Sequence, residues 1–191
     1  LMPVVLFYLL RDWAHLIKLI DEIIPRHWHE QVNELANASD KVLAEFLRGQ
    51  LSVMLIMSFC YVTGLWMVGL EFALPIGIIA GVLVFVPYLG LGIGLVLATL
   101  AALIQFQDWS ALLQVWLIFG IAQLLESMVI TPWLVGNRIG LHPVIVIFAL
   151  LAFGQLFGFV GLLLALPASA VLLVWLRHVR KQYLESNLYN P

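Results

Sequence analysis

Residues 74–105 read LPIGIIAGVLVFVPYLGLGIGLVLATLAALIQ, a stretch without a charge that carries Pro87 and five glycines, Gly77, Gly81, Gly90, Gly92 and Gly94. As one straight helix these 32 residues would be about 48 Å long, against a hydrocarbon core of about 30 Å. Two full spans do not fit either. Proline and glycine favour a turn at Pro87-Tyr88-Leu89-Gly90, which leaves arms of 13 and 15 residues, each about 20 Å. Two short apolar arms around a turn at membrane depth predict a re-entrant hairpin. Its bare backbone is tolerated only where it is buried in protein or lines a watery cavity. Transporters keep their sites in such cavities.

The stretch has an echo. At an offset of 68 residues Pro75 meets Pro143, Ile79 meets Ile147, Leu83 meets Leu151, Phe85 meets Phe153 and Gly90 meets Gly158. Dropping one residue then pairs Gly94-Leu95 with Gly161-Leu162 and Ala98 with Ala165. The second stretch, 143–176, is also uncharged and too long for one crossing, so it predicts a second hairpin and an internal repeat.

Composition places the chain in a membrane: 63% hydrophobic, 10% charged, mean hydropathy +1.06. The lipid bilayer is therefore its first partner. A nucleic-acid binder would show a basic stripe, and none is present. The lone Cys60 reads as a small apolar packing residue. No cofactor or metal is expected, because the glycine run at Gly90 lacks a flanking strand and downstream acid, and His27 and His29 have no third ligand nearby. The serines lack a His/Asp partner pattern, so enzyme activity is not expected.

The fold class expected is all-α, a polytopic membrane protein with transmembrane helices and two re-entrant hairpins arranged as an inverted repeat. Residues 1–10 read as the end of a preceding span, which would make the chain a fragment. Residues 11–50 form an amphipathic cytoplasmic or interfacial region, with five of the nine Lys/Arg and seven of the eleven Asp/Glu. Within it, helical spacing of Trp13, Leu16, Ile17, Ile20, Ile23 and Ile24 predicts a helix over 12–24 ending at Pro25, and Ser39 is the expected N-cap of a second. Residues 51–177 are the transmembrane transport domain, with plain spans at 51–70 and 111–130, and 178–191 is a C-terminal tail. If both hairpins return to their own side and both plain spans cross, all nine Lys/Arg share one face, which the positive-inside rule puts in the cytoplasm.

Seven residues are candidates for the substrate or ion pathway. Glu126 is a carboxylate within a membrane helix, so it should face a cavity, pair with a cation or be protonated. A helix-end anchor paired with Arg138 is the alternative. Gln123 and Gln155 are neutral hydrogen-bonding candidates, with Gln155 standing at the second tip; there it could equally satisfy freed backbone groups. Pro87, Tyr88 and Gly90 form the first tip and Gly158 closes the second. The tips should meet near the midplane, where turn amides and carbonyls could hold a polar solute or a cation. Gly77-x-x-x-Gly81 and Gly154-x-x-x-Gly158 serve close packing instead.

Several motifs carry a family resemblance: Phe85-Val86-Pro87-Tyr88-Leu89-Gly90; Glu126 followed by Ile130-Thr131-Pro132-Trp133-Leu134-Val135-Gly136; Gly140-Leu141-His142-Pro143; Gly158 through Gly161-Leu162-Leu163-Leu164-Ala165-Leu166-Pro167; and Arg48-Gly49-Gln50. In this order they resemble the AI-2E, or autoinducer-2 exporter, family over about residues 1–178. Leu91 departs from the pattern, standing where members often carry a second proline. The resemblance implies a multi-pass bacterial inner-membrane protein, homo-oligomeric, with earlier helices before this segment. It also implies export of a small solute, autoinducer-2-like, by alternating access. Some relatives are instead linked to sodium or lithium exchange for protons. A membrane scaffold recruiting partners through residues 11–50 is the reading from a different class.

Overall fold

The computed structural model describes residues 2–134 and 143–185. They are all-α, in the order α1 (Met2–Arg11), α2 (Trp13–Ile23), α3 (His29–Met67), α4 (Ala73–Leu83), α5 (Leu89–Phe106), α6 (Trp109–Leu125), a π turn (Glu126–Ile130), α7 (Thr131–Leu134) and α8 (Pro143–Glu185). Four segments are long and apolar enough to cross a membrane: His29–Met67, Leu89–Phe106, Trp109–Ile130 and Val144–Leu184.

α2 matches its predicted span and stops where Pro25 removes a donor. The second helix does not begin at Ser39, and no break precedes the span at 51–70. One 39-residue helix covers both. Ser39 lies inside it, its hydroxyl donating to the Leu35 carbonyl at 2.8 Å. Nothing between Ser39 and Leu51 interrupts the backbone ladder, since Gly49 alone costs a helix only about 1 kcal/mol. α6 begins at Trp109, two residues before the span expected from the sequence. Asp108 is the N-cap of α6, accepting from the Ser110 N–H and hydroxyl, and these bonds hold its carboxyl below the usual range.

The first hairpin is α4 and α5, with arms of 11 and 18 residues in place of 13 and 15. Its feet meet. The Gln105 amide donates to the Gly69 carbonyl at 2.8 Å, and the Glu71 N–H donates to Gln105 Oε1 at 2.9 Å. Gly69, at φ 81, makes the turn after α3, and a Cβ there would touch nothing, so it is a turn glycine and not a helix contact. Gly64 is such a contact: its Cβ would meet Ile118 Cγ2 at 2.6 Å. Gly77 presses on Val62 and Gly81 on Ser58, so α4 lies backbone-close along α3.

α8 is not straight. Gly158, at φ 61 and ψ −141, interrupts it, and a Cβ on Gly161 would strike the Phe153 carbonyl. In a straight helix those residues would be about 12 Å apart, so the chain doubles back here. The bend therefore sits at Gly158, and Gln155 occupies the last turn of the first arm.

α3 is the mast for both hairpins. The first is footed at its Met67 end and reaches Gln50, about 25 Å away. In the second, Trp175 on the return arm donates its indole N–H to Ser39 at 3.1 Å, whereas Phe159, next to the bend, shares a cavity wall with Met54. The two bends thus overlap in level along α3 and are approached from its two ends. Val53, Met57, Tyr61 and Leu65 of α3 pack with Ala80, Ala98, Ala102, Val115 and Phe119 as the core.

Candidate transport site

The first bend is tightly made. Tyr88 takes a left-handed conformation (φ 66), a strained state for a residue with a Cβ, and its ring is 71% exposed. Pro87 precedes it in the turn. Gly90 is required by contact, because a Cβ would meet the Ala80 carbonyl at 2.5 Å and Val84 Cγ2 at 2.7 Å. Four amides of this turn are taken: Phe85 donates to Val82, Val86 to Leu83, Leu89 to Val86 and Gly92 to Tyr88. Val84 O is reached by buried Gln50, whose Nε2 lies 3.1 Å away. Losing that bond would leave a buried carbonyl unpaired, a cost of about 1–3 kcal/mol. Gln50 was visible in sequence only as part of Arg48-Gly49-Gln50; its reach to residue 84 was not.

Gln123 and Glu126 come together on α6. Phe119, Gln123 and Glu126 are spaced at four and three residues and so share one face. That face meets α3, where Tyr61 stacks on Phe119 with ring centroids 4.7 Å apart. Glu126 also starts the π turn, in which the Thr131 N–H donates to the Glu126 carbonyl five residues back. Such turns widen a helix and are frequent at functional sites. Tyr61 was missed in sequence because a tyrosine in an apolar run reads as packing. Arg138, the alternative partner for Glu126, and His142 lie outside the described residues.

Gln155 and Gly158 are exposed on the second hairpin, and no described contact joins them to Gln123 or Glu126. The bends do approach one another. A cavity of about 550 Å³ lies between them, walled by Phe85, Val86 and Leu89 of the first and Phe159 and Leu163 of the second, with Met54 of α3. A neighbouring cavity of about 540 Å³ lies between Leu43 and the two arms of α8. Both are walled by apolar side chains, and Gln123, Glu126 and Gln155 line neither. The seven candidates therefore form three places and not one: the first bend, the α3–α6 face and the second bend. His29 bonds Asp21 at 2.9 Å and approaches Asn33, and no metal-ligand group of three occurs among the described residues.

The profile described as AI-2E family transporter matches residues 1–181. YrrI of Bacillus subtilis, a transport protein by name, is 36% identical over 176 residues, covering 92% of this chain and 49% of YrrI. YueF of the same organism, also a transport protein by name, is 29% identical over 170 residues, covering 88% and 45%. PerM of Escherichia coli K12, a permease by name, is 25% identical over 179 residues, covering 90% and 48%. The chain spans about half the length of these relatives. No solved structure matches it.

Proposed function

The chain belongs to the AI-2E family of transporters, and from that premise we propose that it supplies the hairpin-bearing half of an exporter of a small polar solute, autoinducer-2-like, that works by alternating access. Both hairpins dip into the bilayer and leave by the face they entered, as an inverted repeat. Residues 11–50 and the C-terminus lie in the cytoplasm of a bacterial cell, the transport unit sits in the inner membrane, and copies assemble as a homo-oligomer. The observation that carries this reading is the anchoring of the two broken segments on opposite halves of the mast, Gln105 to Gly69 just past its Met67 end and Trp175 to Ser39 in its N-terminal half. Helices broken at mid-depth and anchored from two sides can open to one face at a time. The solute path runs past Pro87, Tyr88, Gly90, Gly158 and Gln155 at the bends, while Gln123 and Glu126 stand at a separate place on the α3–α6 face.

Topology is the first test. Single cysteines placed at residues 71 and 108 are expected to react with a membrane-impermeant reagent from the same side of the membrane. Labelling from opposite sides would end the hairpin reading. A flux panel in proteoliposomes, run with the full-length protein with and without a pH gradient, tests the activity. Export of a neutral hydroxylated solute that survives Glu126→Gln supports the exporter. Sodium or lithium flux driven by the pH gradient and abolished by Glu126→Gln would favour the antiporter, for which the one specific observation is a carboxylate set into a membrane helix at a π turn. No flux of any kind, with partners lost on removing residues 11–50, would leave the scaffold.

A further inference from the structure

Among the described residues, two buried side-chain polar atoms lack a hydrogen-bond partner, Tyr61 Oη and Gln123 Oε1. They are not scattered. Tyr61, 0% exposed, stacks on Phe119, and Gln123 follows Phe119 by one turn on the face turned toward α3. Glu126 follows Gln123 by three residues and stands on the same face. Buried polar groups in folded proteins are almost always paired, and each one left bare costs about 1–3 kcal/mol. The two orphans have complementary needs: a phenol O–H to be accepted and an amide oxygen to be donated to. A carboxylate with further accepting capacity is their neighbour.

We propose that Tyr61, Gln123 and Glu126 form a binding site for a single ordered water molecule between α3 and α6. The water accepts from the Tyr61 hydroxyl, donates to Gln123 Oε1 and turns its second proton to the Glu126 carboxylate. Three partners are what a buried water ordinarily makes. The water links the mast helix to the helix whose ladder is widened at Glu126, so it couples the π turn to α3. The inference stands whether or not the chain moves a solute.

Radiolytic hydroxyl-radical footprinting of the intact chain in detergent tests it, because radicals generated from a bound internal water modify the side chain beside it. Tyr61 is expected to be modified although buried. Exposed Tyr88 serves as the positive control and Met57, one turn from Tyr61 and also 0% exposed, as the dry control. Gln123→Leu is expected to bring Tyr61 modification down to the Met57 level. Absence of Tyr61 modification in the unaltered chain overturns the proposal, and so does equal modification of Met57, which would report opening of the core. Thermal unfolding supplies an independent readout. Tyr61→Phe keeps the ring stacked on Phe119 and is expected to lower the midpoint, whereas a hydroxyl that binds nothing would leave it unchanged or raise it. Coupling between Tyr61→Phe and Gln123→Leu without Tyr61 modification would mean a direct bond, and the water site would be wrong.

Discussion

Gly81→Val is expected to detach α4 from α3 and to be among the most destabilising single changes in the described chain. A Cβ at residue 81 would fall on Ser58, against its backbone nitrogen and Cα as well as its hydroxyl. Backbone inside a helix cannot step aside as a side-chain end can. The whole arm must therefore move, and it also carries Gly77 against Val62 N at 2.6 Å and Ala80 in the core. Overpacking of this kind costs about 1–3 kcal/mol, with more expected where two backbones meet. Gly92→Val is the control on the same hairpin, since a Cβ there has nothing within 4 Å. Thermal unfolding in detergent should show a clear loss for Gly81→Val and almost none for Gly92→Val. Equal midpoints would mean that the α3–α4 contact is looser than described.

Gly161→Ala is expected to spring the second hairpin open. Here too the obstacle is backbone: the new Cβ would lie on the Phe153 carbonyl, with its carbon at 2.6 Å. Two neighbouring glycines separate the possible causes. Gly158 meets nothing, so Gly158→Ala carries only the strain of φ 61 with ψ −141, about 1–3 kcal/mol. Gly154 faces the tip of Leu162 at 2.9 Å, and a leucine end can rotate away. The order of damage should be Gly161→Ala, then Gly158→Ala, then Gly154→Ala. Spin labels placed on the two arms of α8 should read a longer separation for the first. If Gly161→Ala matched Gly154→Ala in both stability and arm separation, the close fold at this bend would be refuted.

Several elements were legible because they depend on neighbours in the chain. Pro87-Tyr88 forces a turn wherever it stands, the spacing of Trp13 to Ile24 makes α2 amphipathic on its own, and Pro25 ends it. The packing role of Gly77 and Gly81 was read correctly from spacing. The site was less legible. Gln123 and Glu126 stood out as polar residues in an apolar helix, but Tyr61 and Gln50 did not, since their roles come from residues 58 and 34 positions away along the chain. Gln155 looked like a tip residue through its alignment with Pro87, yet the second bend is set by Gly158, the glycine there with a positive φ.

From composition, periodicity and the placing of proline and glycine came the membrane class, the helices and the existence of two bends, and from its motifs the family resemblance. These follow from local terms: transfer of apolar side chains, backbone dihedrals and the missing donor of proline. Only the folded chain decided that residues 29–67 are one mast, that Gln105 closes the feet of the first hairpin, that Gln50 holds its bend and that Tyr61 stacks on Phe119. Each of these is a contact between distant segments. Helices of nearly uniform apolar surface carry little in their pattern to say which neighbour they will meet. Close fit, at Gly77, Gly81, Gly94 and Gly161, makes that choice.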